Sequence, residues 1–370
     1  MKSYFCHQLP QMSAFALFAM LFGIVLATSC KVEFSPNAEW KDVPSVYCVI
    51  DPQEDTIWAR VQRCYLGNDN LYNYSTIADS TNYPSGQIRV VLKAWKGIRD
   101  NEGFLTATNQ LVDSWNLRDT LIAGRPSGHF AEGSQPLFYC TPGNRLIKDT
   151  NCVFQLLIIN TNSGDTIARA STTLVGFLPM VPRTGNRHDS IETTCLIEPN
   201  QSPAWEFGYR TRTGGRLKWH TLPRGRLYQP KVTFYYRKGD DTLSIDIVGK
   251  NVANTRNSAT LTSTAISEDR FLQVIKDSLA NNRDSLFNVN NVDITIAVCN
   301  EELNAYLNSQ NSNRSGSQEM HTYTNIEGGV GIFASRRGHL KVNVPCDSNG
   351  KSGYLPMQLR NLNVGFYGQF

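Results

Sequence analysis

The stretch Val46-Tyr47-Cys48-Val49-Ile50-Asp51-Pro52-Gln53-Glu54-Asp55-Thr56-Ile57-Trp58-Ala59-Arg60-Val61 holds two runs of β-branched and aromatic residues on either side of an Asp-Pro-Gln-Glu-Asp turn. Such runs favour extended backbone, and the proline and acidic residues between them favour chain reversal, so residues 46–50 and 57–66 read as a β-hairpin. The same pattern continues outward. Residues 87–95 alternate, with Ile88, Val90, Leu92 and Ala94 on one face, and residues 152–159 form the continuous apolar run of a strand buried on both faces. After a Ser-Gly-Asp turn, residues 166–175 return. The chain is therefore mainly β, and this order of strands suits an immunoglobulin-like β-sandwich over residues 46–182 better than a closed barrel.

Pro179, Pro182 and the polar run 183–190 mark a boundary, after which residues 183–370 read as a second β-rich domain. Strands are expected at 192–197, 231–237, 242–248 and 292–299. A hairpin of residues 204–213 and 216–222 would close on Gly214-Gly215, whose lack of side chains permits a type I′ turn. Two short helices interrupt them. Ser267 caps one that buries Phe271, Leu272, Ile275 and Leu279; Asn300 caps another, with Glu301 and Glu302 in its first turn and Leu303, Tyr306 and Leu307 inward. The Asn/Ser-rich residues 308–318 are expected to be a loop.

The N-terminus sets the compartment. Residues 14–27 are apolar, but fourteen helical residues span only about 21 Å of a ~30 Å hydrocarbon layer, so the segment reads as a signal-peptide core. It ends in Leu26-Ala27-Thr28-Ser29-Cys30, a lipobox-like sequence. Residues 1–29 are thus expected to be removed, Cys30 to carry lipid, and residues 30–45 to tether the body to a membrane. Loss of Lys2 would take the formal charge from +4 to +3, too little to imply nucleic acid. Seven cysteines follow Cys30 with no C-x-x-C and no histidine at ligand spacing, so neither a metal nor a cofactor is expected. Cys140 and Cys152 flank a turn and are the candidate disulfide; buried thiols are the alternative.

Two segments carry a resemblance: the opening hairpin, and Thr324-Asn325-Ile326-Glu327-Gly328-Gly329-Val330-Gly331-Ile332-Phe333-Ala334-Ser335. The chain resembles a group of Bacteroidota outer-membrane lipoproteins of uncharacterised function, often encoded beside TonB-dependent transporters. The resemblance implies an outer-membrane location, a transporter as partner and the two-domain β layout, and supplies no catalytic residues. The glycines of the second segment do not follow the G-x-G-x-x-G order of a dinucleotide loop. They suit a bulge or a close backbone approach before a strand at 330–335.

Residues 207–239 contain nine basic side chains, seven aromatic ones and no Asp or Glu. Arg210, Arg212, Arg216, Lys218, Trp219, Arg224 and Arg226 are the candidate surface for an anionic glycan or an acidic partner; a solvated positive hairpin face is the plainer reading. Eight Asp-(Ser/Thr)-x sites resemble the O-glycan acceptor pattern of exported Bacteroidota proteins, with Thr56, Ser80 and Thr166 as candidates, although Asp-Thr also closes turns. Among the histidines none lies in H-E-x-x-H, and no G-x-S-x-G elbow occurs. The expectation is a non-enzymatic lipoprotein that captures a ligand beside a transporter, or else a structural or adhesive module binding glycan or protein.

Overall fold

Alternation in the sequence carries over directly into burial. The computed structural model describes residues 42–64, 71–100, 104–125, 128, 133–142, 151–176, 217–255, 260–263, 266, 268–314, 323–338, 341–345 and 354–369. Strands β1 (Pro44–Ile50) and β2 (Ile57–Arg63) form the expected antiparallel hairpin, with Val46 opposite Val61 and Cys48 opposite Ala59. Their inward residues are Val46, Cys48 and Ile50 on one strand and Ile57, Ala59 and Val61 on the other. Asp51 closes the turn: its carboxylate accepts from the Gln53 N–H at 3.1 Å, and its carbonyl from the Glu54 N–H at 3.1 Å.

Two short helices, α1 (Leu71–Ser75) and α2 (Ala78–Thr81), lead to β3 (Ile88–Arg99), β4 (Leu105–Arg125) and β5 (Gly133–Cys140), then β6 (Cys152–Asn160) and β7 (Thr166–Thr173). At 21 residues, β4 serves two ladders. Its first part pairs with β3 as far as Leu117, and from Arg118 onward it pairs with β5. One core gathers Val46, Ile50, Ile57 and Phe138 from the β1–β2–β5 ladder and Leu92, Phe154, Leu156 and Ile158 from β3 and β6. Each fully buried large aliphatic side chain contributes about 1.5–3 kcal/mol relative to exposure.

The rest of the chain supplies β8 (Leu217–His220), β9 (Leu227–Lys238), β10 (Asp241–Val248), β11 (Val252–Ala253), β12 (Thr260–Ser263), helix α3 (Glu268–Ser278) and β13 (Leu286–Cys299). Helix α4 (Glu301–Arg314), β14 (Ile326–Glu327), β15 (Val330–Arg337), β16 (Lys341–Pro345), helix α5 (Tyr354–Asn361) and β17 (Phe366–Gln369) complete it. A second core forms around β9 and β13, where Tyr228, Val232, Phe234 and Tyr236 alternate inward against Phe271 and Ile275 of α3 and Leu355 and Leu359 of α5.

Strand β15 joins the two cores. It pairs parallel to β1, from Ser45–Val330 to Ile50–Ser335, and antiparallel to the end of β13. The two segments that carry the resemblance are thus neighbours in one ladder. The glycines allow close approach, as expected: a Cβ on Gly331, at φ +112°, would lie 1.9 Å from the Val46 carbonyl oxygen, and one on Gly328 2.5 Å from that of Ile167. The Asn325 side chain locks this turn, donating to the Phe333 carbonyl at 2.7 Å and accepting from its N–H at 2.9 Å.

Several expectations change. The described residues fall within one compact unit, and the 182/183 boundary does not separate the cores: Ile326 and Phe333 enter the first, Val175 the second. Five helices are present among the described residues instead of two, and α4 runs through to Arg314, where a loop was expected from 308. Leu307 on α4 is exposed, whereas Leu303 is buried. Cys140 and Cys152 are buried thiols, not a disulfide. The reason is topological: Cys140 sits opposite Ile57 on β2 and Cys152 opposite Lys96 on β3, with β4 and β3 between their strands in the ladder. Burial pushes the Cys140 thiol up to about 12, which leaves it unreactive. The strand expected at 192–197, the first arm of the Gly-Gly hairpin, and the signal and lipid segments including Cys30 lie outside the described residues. Leu217–His220 pairs instead with β12.

Candidate functional site

The basic tract does not make one positive face. Arg210, Arg212 and Arg216 lie outside the described residues. Lys218 and Trp219 sit on β8, opposite Thr262 and Leu261 in backbone register. Farther on, acids distant in sequence meet the bases: Lys231 pairs with Asp246 at 2.8 Å, Lys238 with Asp284 at 2.5 Å, and Arg226 with Glu301 at 2.9 Å. A stretch without acids in sequence is therefore locally neutralised in space, and its aromatics Tyr228, Phe234 and Tyr236 are core.

Arg224 and Arg226 are brought together by a tightly stapled loop, 221–226. The Leu222 N–H donates to the Tyr228 hydroxyl at 2.8 Å, the Arg226 N–H to the Cys299 carbonyl at 2.8 Å, and the Gly176 N–H to the Pro223 carbonyl at 2.9 Å. Gly225 passes so close to Tyr228 that a Cβ would lie 2.3 Å from its hydroxyl. These bonds hold Arg224 at φ +63°, a left-handed conformation that costs a non-glycine residue about 1–3 kcal/mol. Arg224 Nε donates to the Leu174 carbonyl at 2.5 Å; burial, then the charge of Arg99, lowers its pKa to about 10. Both residues line a cavity of about 470 Å³ with Phe104, Leu105, Glu301 and Glu302. Burial foremost, with Glu301 beside it, raises Glu302 to about 7.

A second cleft, about 540 Å³, opens on the outward face of the first hairpin. Alternation that buries Val46, Cys48 and Ile50 turns Tyr47 and Val49 outward, and on β2 it exposes Trp58 and Arg60. Trp58 stands opposite Tyr139 of β5 with ring centroids 5.3 Å apart and planes tilted by 34°. Tyr47 and Trp58 remain 51% and 43% exposed, large values for aromatic rings on a strand. Helix α4 explains where the opening begins: Leu303 and Tyr306 cover Ile332 and Ala334 of β15 together with Val49, and the face beyond is left bare. The rim is polar, with Glu54, Asp55 and Arg60, and with the buried Asp51 carboxylate 3.5 Å from Arg336 Nε.

Compared with known protein families and with curated proteins, this sequence matches none. The clefts therefore stand on their geometry. Of the glycan-acceptor candidates, Thr56 lines the outward cleft, Ser80 lies half-buried in α2 and Thr166 is exposed at the start of β7. Among the described residues no group of three His, Cys, Asp or Glu side chains is placed to hold a metal, and no helix is long and apolar enough to cross a membrane. The outward cleft was overlooked in the sequence although its signal is there: in the first hairpin, positions out of phase with the core residues are aromatic where a solvated face would be polar.

Proposed function

We propose that this chain is a non-enzymatic lipoprotein of the outer membrane, anchored through Cys30, which captures a glycan on the outward face of β1, β2 and β5 as an accessory subunit of a TonB-dependent transporter. The observation that carries the capture reading is the exposed Tyr47, Trp58 and Tyr139 cluster over a cleft rimmed by carboxylates and guanidiniums. Flat aromatic faces suit the C–H face of a sugar ring, while the acidic and basic rim suits its hydroxyls. The volume falls within the ~300–1,000 Å³ of small-ligand sites. A lipid tether beside a transporter would raise the local concentration of that ligand.

The first half is read as an immunoglobulin-like sandwich. What supports this is β4, which passes from the β3 ladder to the β5 ladder while both ladders line one core.

Calorimetry of the full chain in a polyoxyethylene detergent, which carries no sugar, against a panel of neutral and acidic oligosaccharides tests capture. Saturable binding that Trp58→Ala removes while thermal unfolding stays unchanged supports the reading. Absence of binding across the panel, or binding indifferent to Trp58→Ala, overturns it. Crosslinking in native cells followed by purification tests the partner: recovery with a near-stoichiometric transporter supports the accessory role, and recovery alone leaves a free-standing adhesive module.

A further inference from the structure

The cavity beside Arg224 is separate from the aromatic cleft, and three features of it point to a ligand of defined charge. First, the two terminal nitrogens of Arg224 are shut off from water and have no hydrogen-bond partner. A buried donor without a partner costs about 1–3 kcal/mol, more when charged, and this guanidinium is held in place by a strained backbone and a stapled loop. Packing alone would be served more cheaply by an apolar side chain.

Second, the charges do not cancel. Arg224 and Arg226 line the cavity, and Arg99 is close enough to lower the pKa of Arg224; against them stand Glu301, committed to Arg226 at 2.9 Å, and Glu302. Three guanidiniums facing two carboxyls leave one positive charge even with both acids ionised, which a monoanion balances and a dianion exceeds. Third, the wall opposite is apolar, formed by Phe104, Leu105 and Leu222, with Phe104 itself 55% exposed at the opening.

We propose that this cavity binds a small organic monocarboxylate with an apolar body, its carboxylate paired with Arg224 and its body against Phe104 and Leu105. The planar guanidinium fork matches a carboxylate with two parallel N–H donors. The volume of about 470 Å³ accommodates a molecule of one ring with a short acidic arm.

Calorimetry on the full chain in the same detergent, with phenylacetate as probe and phenylacetamide as its uncharged counterpart, tests this. The expected result is saturable one-to-one binding of the acid, with the amide weaker by roughly tenfold or more. Arg224→Gln should abolish the preference for the acid, and Phe104→Ala should weaken the acid several-fold, while Trp58→Ala leaves binding unchanged. Should Arg224→Gln fail to fold, as read by circular dichroism, the acid–amide comparison and Phe104→Ala, which alters an exposed side chain, still decide. No saturable binding at millimolar phenylacetate, equal binding of acid and amide, or loss through Trp58→Ala instead of Phe104→Ala overturns the proposal.

Discussion

The cleft over Trp58 and the cavity beside Arg224 are of similar volume, about 540 and 470 Å³, and are built in opposite ways. The first is the bare side of a local ladder: its aromatics stand on adjacent strands in simple register, exposed, with no strained backbone among the residues that line it. The second draws on β3–β4, the end of β7, the 221–226 loop and the start of α4, and it requires a left-handed arginine and a run of buried hydrogen bonds. A surface laid over a finished sheet can change without disturbing the fold. A cavity made of the joints between elements cannot.

The sharpest way to break that contrast is to attack what both share, the β1–β15 seam. Gly331→Ala places a Cβ against the Val46 carbonyl at a φ of +112°. We expect a loss of about 3 kcal/mol or more in urea unfolding, and loss of both binding activities, since β15 carries Arg336 to the cleft and Ser335 to the joint. A variant of wild-type stability would show that the seam is dispensable.

Next comes the joint itself. Asn300 is buried; its amide donates to the Thr172 hydroxyl at 2.8 Å and the Thr173 carbonyl at 3.0 Å, and its oxygen caps α4 through the Leu303 N–H at 3.3 Å. Asn300→Ala should cost about 2–3 kcal/mol, because it removes a cap and strands buried partners. Trp58→Ala, although it removes a far larger side chain, should stay within about 0.5 kcal/mol of wild type in the same denaturant titration. Equal losses for the two would erase the distinction.

What could be read from the sequence follows the same division. Periodicity is local, so β1, β2, β6, β9 and the Asn300 cap were legible within a residue or a few. The pairing of β1 with β15 spans nearly the whole described chain and leaves no local trace beyond the glycines that permit it. Strand β4 was missed because it is polar along much of its length; Leu117 is buried, whereas Leu111, Val112 and Leu121 stay exposed. The basic tract misled because charge was counted along the chain, while Asp246, Asp284 and Glu301 arrive through space. Arg224 was legible as a basic residue and illegible as a buried one.

A smaller effect concerns pH. Glu302 titrates near 7 in the folded protein against an ordinary value of 4.5, with Glu301, Tyr323 and Cys299 coupled to it and Thr172 hydrogen-bonded to its side chain. Its folded pKa lies above its unfolded one, so between those values the native state holds a proton that the unfolded chain has released. Its contribution to stability is complete below the unfolded value and is lost as pH rises through 7. Urea midpoints followed from pH 5 to 8 should therefore fall more steeply for wild type than for Glu302→Gln, which stays neutral throughout; parallel curves would remove Glu302 as the cause.

The smallest expected effect is the most useful control. Arg169 and Glu327 form an ion pair at 2.6 Å between β7 and β14, close to the same seam, yet their side chains are 60% and 69% exposed. Water screens both charges before and after folding, so a double-mutant cycle should assign the pair less than about 1 kcal/mol, shrinking further in salt. If the cycle instead returns a coupling as large as the loss from Asn300→Ala, proximity to the seam and not burial sets the cost, and the contrast between laid-over surface and built-in joint fails at its simplest point.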